Sequence, residues 1–402
     1  MHEAFRAKSV ITLAGEPPAR TRKELEAPLP ELEDGVIIVD NGRILAVESF
    51  AAFKKGMHSS VPLTDLGEVR LAPGLINAHC HLELSHLAGA IRDGAGFVAW
   101  LQSLIPLASR PVAPDVLLKS IREAVRQLTG SGVAHVGDVG SRHPALVAEA
   151  AGEDCGVTHF LEVLGFAPPD RSGRVAACLA AQGYCPEAAA SLPPERHTWC
   201  AVAGHALYST SPEGLRAAFA WCRENHRPYS IHLAEFQEED DCIRQGTGAL
   251  HDVMRKSFLP PDWRCPGVGP VEYAEALGLL GPNTLAVHCV RCSSGDVAIL
   301  ARARASVCLC PRSNDFIGVG RAPAQEMAEA GVLLCLGTDS LASNHDLDMR
   351  REMRAARQAW GFSDEAVLRM ATVNAAHALG LDHLGALVPG KAAVFFDSGI
   401  NS

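Results

Sequence analysis

The chain has 402 residues, of which 48% are hydrophobic and 20% charged, with a formal net charge of -10. These values describe a globular chain long enough for one large barrel with an accessory unit, or for two or three ordinary domains. The acidic balance and the lack of a dense Lys/Arg block argue against nucleic acid as a partner, and no apolar run approaches the roughly 20 residues that span a bilayer. The N-terminus, MHEAFRAKSV, has no signal-peptide apolar core. Thirteen scattered cysteines, with close pairs only at Cys289/Cys292 and Cys308/Cys310, fit reduced thiols rather than a disulfide framework. A cytoplasmic protein without membrane partners is expected.

In chain order, GVIIVDNGRILAVESF places Asn41 and Gly42 between two β-rich runs, a strong hairpin signal because both turn positions tolerate positive φ. The Pro-, Glu- and Arg-rich segment between Gly15 and Asp34 reads as a surface loop. LAPGLINAHCHLELSH (71–86) then ends an apolar run in His79 and His81. On a strand these two share a face, and Cys80 points the other way. Short apolar strands alternate with amphipathic helices from there on, the pattern of βα units, with strand ends expected near Ala78, Val139, Leu164, Leu207, Leu233, Val290, Pro311 and Thr338. Eight units predict a (β/α)8 barrel. PDVLLKSIREAVRQLTGSG carries Leu118, Ile121, Val125 and Leu128 on one stripe and ends at Gly130, and SPEGLRAAFAWCREN starts with Ser211 as N-cap and Pro212 at its first position. LGALVPGKAAVFFDSGI reads as strand, Pro389-Gly390 turn, strand, and is expected to close the N-terminal sheet. The division is therefore a small composite β-sandwich from 1–70 and 384–402 beside a barrel at 71–383.

Active sites of such barrels lie at the C-terminal ends of the strands. His79 and His81 end the first strand, His205 the fourth, His232 with Glu235 the fifth, His288 the sixth and Asp339 the eighth. Imidazoles with one carboxylate suit a metal that keeps one position open for water, so His79, His81, His232 and Asp339 are assigned to one divalent ion, Zn²⁺ first and Fe²⁺ as the alternative. Such an ion lowers the pKa of water from about 15.7 to around 7. Glu235 is placed to carry its proton, His288 to orient the attacking oxygen, and Asp339 both to bind metal and to accept a hydrogen bond from the nucleophile. The acidic run at 238 to 241 reads as a solvated face.

Together PGLINAHCHLE, HALYSTSPE, HLAE, HCV, CPRSN and GTDSLASN resemble the amidohydrolase superfamily, in its branch of nucleobase and nucleoside deaminases and s-triazine hydrolases. The resemblance implies a mononuclear metal hydrolase that replaces an exocyclic amine or halide on a heteroaromatic carbon, in a form often dimeric. A second metal in such a barrel commonly needs a carboxylated lysine where this chain has His205. Two departures stand out: Leu82 to Ser85 replace an apolar pair after the histidines, and Val394 replaces the Asp after GKxA. For a purine nucleoside substrate, Glu83 is expected at the aminopurine edge, His205 as a donor, Glu162 at the ribose hydroxyls and Arg142 at a distal carboxylate. Ser141, Trp100 and Arg312 are further candidates near the mouth. HLELSH and CPRSN most resemble deaminases of 6-aminodeoxyfutalosine, an adenine nucleoside with a benzoate tail on a menaquinone-forming route. Deamination of adenosine, 5'-methylthioadenosine or S-adenosylhomocysteine, and ring opening of a cyclic amide, are the alternatives, with an inactive metal-binding scaffold as a third.

Overall fold

The computed structural model describes residues 2–140, 142–152, 154–166 and 198–399. The chain begins as a sheet of β1 (His2–Ile11), β2 (Glu31–Asp40), β3 (Arg43–Ser49), β4 (Leu63–Asp65) and β5 (Arg70–Pro73). Its hairpin forms at the expected place: Asp40 faces Arg43, and Asn41 and Gly42 have φ of 48° and 77°. Period-two alternation sorts its apolar residues to opposite faces, Val36 and Ile38 with Ala4 and Phe53, Ile37 and Val39 with Ala7, Val10 and Leu71.

The segment after Gly15 departs from the expected surface loop. Thr21 and Glu24 form a capping box on the short helix Arg22–Leu25, and Leu25 is buried. From a helix near the other end of the chain, the buried guanidinium of Arg369 pairs with Glu16 through two 2.8 Å bonds and donates to the carbonyls of Leu25, Ala27 and Pro28. Local polarity cannot reveal a partner 353 residues away.

The barrel follows as β6 (Leu75–Cys80), β7 (Val133–Gly140), β8 (Gly156–Val163), β9 (Thr198–Ala206), β10 (Tyr229–Leu233), β11 (Thr284–His288), β12 (Ser306–Leu309) and β13 (Leu333–Leu336), eight parallel strands in sequential order. Each ends within two residues of its expected position. Alternate side chains such as Ala201 and Ala203, Leu285 and Val287, and Leu333 and Cys335 fill the interior, while Val202, Ala286 and Leu334 pack outward under the helices. Cys80 packs in that outer layer, as expected. Among the described residues the seam between β13 and β6 has no ladder. Asn77 closes it, accepting from the Thr338 N–H at 3.1 Å and donating to Thr338 Oγ1 at 2.7 Å, and the Asp339 N–H donates to the His79 carbonyl at 3.0 Å.

The helix Pro114–Gly130 buries Leu117, Ile121, Val125 and Leu128, with Leu117 taking the place expected for Leu118. The helix Pro212–Glu224 is capped by Ser211 Oγ, as expected. At the C-terminus β14 (Phe395–Asp397) pairs antiparallel with β5, so both chain ends share one six-stranded sheet. The preceding 384–388 is not a strand. It docks through single bonds, such as the Leu387 N–H to the Thr12 carbonyl, with Leu387 packed among Ala7, Val10 and Ile37 of the sheet and Gly385 against Val373 and Ala376 of the helix Val373–Leu379.

Candidate active site

The strand ends bring His79, His81, His232, His288 and Asp339 together at the C-terminal mouth of the barrel. His79, His232 and His288 place one nitrogen each within 4.8 Å of one another, as do His79, His81 and Asp339 through their ligand atoms. The Nε2 atoms of His81 and His232 lie 3.3 Å apart, and each of His79 and His81 points Nε2 at Asp339 Oδ1 from 3.6 Å. The tautomers decide what this means. His232 donates Nδ1–H to the His205 carbonyl at 2.9 Å, and His81 bonds the Val139 carbonyl, so both Nε2 atoms carry lone pairs. Two lone pairs facing each other at hydrogen-bond distance need a cation between them. Buried His79, with neither ring nitrogen hydrogen-bonded among the described residues, adds a third. The donor set therefore fits a divalent metal.

Electrostatics agree. Burial, then the neighbouring His79, pushes His81 down to about 4, and burial takes His288 to about 4 and His205 to about 3. These shifts favour the neutral form of His81, His205 and His288, the form of an imidazole that binds metal. Burial raises Asp339, but the facing ring of His79, 3.6 Å away, and then His81 and His288 outweigh it and hold the carboxylate well below its usual range. Asp339 Oδ2 also accepts from Ser313 Oγ at 2.6 Å and Ser343 Oγ at 2.7 Å. His288 donates Nδ1–H to Asn314 Oδ1 at 2.9 Å and faces Glu235 Oε1 with Nε2 at 3.6 Å. Glu235 is 4% exposed, and burial, then Asp339, pushes its carboxyl well above the ordinary value. Ala234, His288, Cys289 and Asp339 all have φ between 48° and 73°, so backbone strain gathers at three strand ends around the site.

A cavity of about 540 Å³ opens above these groups. It is lined by the polar groups Glu83, Glu162, His205, Glu235 and Asp339, by the apolar side chains of Phe97, Trp100, Leu101, Leu104, Met254 and Phe258, and by His143 and the solvent-exposed Arg110 and Arg142. Glu83, on the 3₁₀ turn Leu82–Leu87, accepts the backbone N–H of Arg142 at 3.1 Å. Arg142 donates one guanidinium N–H to the Ala108 carbonyl at the end of the helix Phe97–Ala108. Burial, then Glu83, raises Glu162 to about 8. His205 Nδ1 contacts Ser209 Oγ at 2.5 Å, and Glu162, His205 and His232 form a third close group. All four expected substrate-side residues thus line one cavity. Arg312 does not: Asp346 holds its guanidinium bidentately at 2.7 and 3.0 Å, a partner that sequence spacing does not show. Ser141 lies outside the described residues.

Several residues around the site went unassigned in the sequence. Asp138, buried on β7, accepts the Leu82 N–H at 2.7 Å and pairs with His159 Nδ1 at 2.8 Å, bracing the turn that carries Glu83. Ser313 and Asn314 lie in CPRSN, and Ser343 in GTDSLASN, so the motifs held the signal although the contacts did not show. Glu239, within the run read as solvated, is 1% exposed. Arg110 gives no sequence signal beyond its charge.

The family model for the amidohydrolase family matches residues 70–396. A 5-methylthioadenosine/S-adenosylhomocysteine deaminase of Nitratidesulfovibrio vulgaris (strain Hildenborough) is 31% identical over 388 residues, covering 90% of this chain and 78% of that protein. A zinc-bound adenosine deaminase from Xanthomonas campestris superposes with a TM-score of 0.78 at 24% identity, covering 98% of this chain and 83% of that one. Helicobacter pylori aminofutalosine deaminase, in complex with methylthio-coformycin, gives 0.81 at 21% identity, covering 98% and 91%. Both structures show the same fold. With a barrel whose strand ends converge on a histidine-rich metal nest, the chain belongs to the amidohydrolase family, hydrolases acting on C–N bonds.

Proposed function

We propose that the protein is a metal-dependent deaminase of an adenine-type nucleoside, most specifically of 6-aminodeoxyfutalosine, giving futalosine and ammonia. The observation that carries the deaminase reading is Glu235: a buried carboxyl that faces His288 Nε2 from 3.6 Å beside the histidine nest and lines the cavity. His79, His81, His232 and Asp339 hold the ion, zinc in this reading, which supplies the Lewis acidity that brings the pKa of water to around 7.

The chain's own residues do the rest. Glu235 takes a proton from the attacking water and passes it to the purine ring nitrogen, then to the departing amine. His288, held in one tautomer by Asn314, aims its Nε2 at the oxygen being added to C6. Asp339, clamped by two serine hydroxyls, accepts a hydrogen bond from the same oxygen. C6 loses its amine and gains oxygen, and ammonia leaves. Glu83 and Glu162 meet the hydrogen-bond donors of base and ribose, and His205 donates to the substrate.

The substrate assignment draws on the polarity of the cavity. Carboxyl groups and apolar side chains line it together with two solvent-exposed arginines, Arg110 and Arg142, although the chain as a whole is acidic. That combination suits a nucleoside whose 5' substituent is apolar and ends in a carboxylate. A second reading, deamination of 5'-methylthioadenosine or S-adenosylhomocysteine, is favoured by the activity named for the 31% identical relative. An ammonia-coupled assay of the zinc-loaded protein against adenine nucleosides differing at the 5' position separates the two. Preference for the benzoate-bearing nucleoside is expected, equal rates on plain adenosine remove it, and loss of ring absorbance without ammonia removes deamination altogether. Glu235→Gln should retain metal while turnover falls about 10²- to 10⁴-fold.

A further inference from the structure

The acidic stretch after the fifth barrel strand holds a carboxylate with no part in the reaction so far. Glu239 stands in the first turn of the helix Gln237–Gln245, between neighbours that meet solvent, yet it is 1% exposed. Its Oε2 turns back along the chain and accepts the backbone N–H of Glu235 at 2.8 Å, with a second bond from the Ala234 N–H. A glutamate at the third helical position ordinarily returns to the N-cap, here Phe236. This one reaches past it to the residue proposed to carry the proton. The turn it reaches is strained: Ala234 has a φ of 50°, and its carbonyl is held from the other side by the Arg291 N–H at 2.7 Å. The backbone of Glu235 is thus gripped by one strut from its own helix and one from the loop after β11.

From this geometry we infer that Glu239 is a positioning residue, whose carboxylate fixes the Glu235 backbone so that the Glu235 side chain faces His288 and the reacting carbon. The inference rests on the deaminase reading and on Glu235 as its proton carrier. What Glu239 supplies is an acceptor oxygen at a fixed reach, and its negative charge is incidental. Displacing a reacting group by about 1 Å costs on the order of 10²-fold in rate. Substrate affinity is set elsewhere, so the loss falls on kcat rather than KM.

Two variants separate reach from charge. Glu239→Asp keeps the charge and retracts the acceptor by one methylene. Its kcat is expected to fall about 10- to 100-fold, with KM within about twofold of wild type and metal content unchanged. Glu239→Gln loses the charge and keeps an acceptor at the same reach, and its kcat is expected within about fivefold of wild type. The inference is overturned if Glu239→Asp equals or exceeds Glu239→Gln in kcat, if the loss appears in KM or metal content, or if both variants turn over like wild type. Glu235→Gln run alongside keeps the two ideas distinct. An inactive Glu235→Gln with a flat Glu239 series sinks the positioning role alone, whereas a fully active Glu235→Gln sinks the proton carrier beneath it.

Discussion

Asp339 has to keep one carboxylate oxygen turned to the metal nest while strand strain and two histidines act on it. The serine hydroxyls of Ser313 and Ser343 fix its other oxygen, at 2.6 and 2.7 Å. Groups of this kind hold a ligand's orientation, and their loss usually costs about 10- to 100-fold in metal affinity. Ser313→Ala is expected to weaken zinc binding by that factor, measured by competition with a chromophoric chelator, and an unchanged affinity would show that the hydroxyl does not orient the ligand. The placing of Asp339 and the histidines at strand ends was legible because each follows an apolar run. Their partners were not, since the Asp339 serines, the Asn314 acceptor of His288 and the Asp346 clamp on Arg312 all arrive from other elements.

The elements are fastened to one another by polar groups that no periodicity exposes. Arg369, 1% exposed in its side chain, is the main example, tying a helix behind the barrel to Glu16 and three carbonyls of the segment before β2. Removing one partner of a buried ion pair leaves the rest desolvated and unpaired, at a cost of about 3–5 kcal/mol. Arg369→Leu should lose stability on that scale in urea unfolding, and a loss below about 1 kcal/mol would mean the pair is a bystander. The alternation of strand and helix was legible because periods of two and 3.6 differ sharply. The polar stretch after Gly15 was not, because its order comes from Arg369, and Glu239 was missed because a run of four acids looks solvated until one of them turns inward.

At the scale of the whole molecule, the barrel carries a titration far from its mouth. His135, near the start of β7, is buried with its Nε2 2.9 Å from Thr158 Oγ1, and burial, then His383, pushes it from 6.5 to about 3. Between those values the unfolded chain binds a proton that the folded chain refuses, so stability falls as pH drops through the window, by up to about 1.4 kcal/mol per pH unit. His135→Gln should lower that slope by up to about 1.4 kcal/mol per pH unit in urea titrations between neutral and about pH 5, the share that one proton carries, and an unaltered slope would assign the acid sensitivity to other groups. Among the described residues no helix is long and apolar enough to cross a membrane. The barrel and the sharing of one sheet by the two chain ends could be anticipated from strand order. The apolar lining of the cavity could not, because Leu101 and Leu104 come from the helix Phe97–Ala108 and Met254 and Phe258 from the helix Gly248–Ser257 and its C-cap, whose approach only the fold determines. Three imidazoles and Asp339 are proposed to hold one ion for hydrolytic deamination. Adding zinc back to chelator-stripped protein while following ammonia release from 5'-substituted adenine nucleosides tests this most directly. No ammonia is expected before addition, and activity should rise linearly to a break at one equivalent; full turnover by the stripped protein, or a break at two equivalents, would overturn the single-ion site.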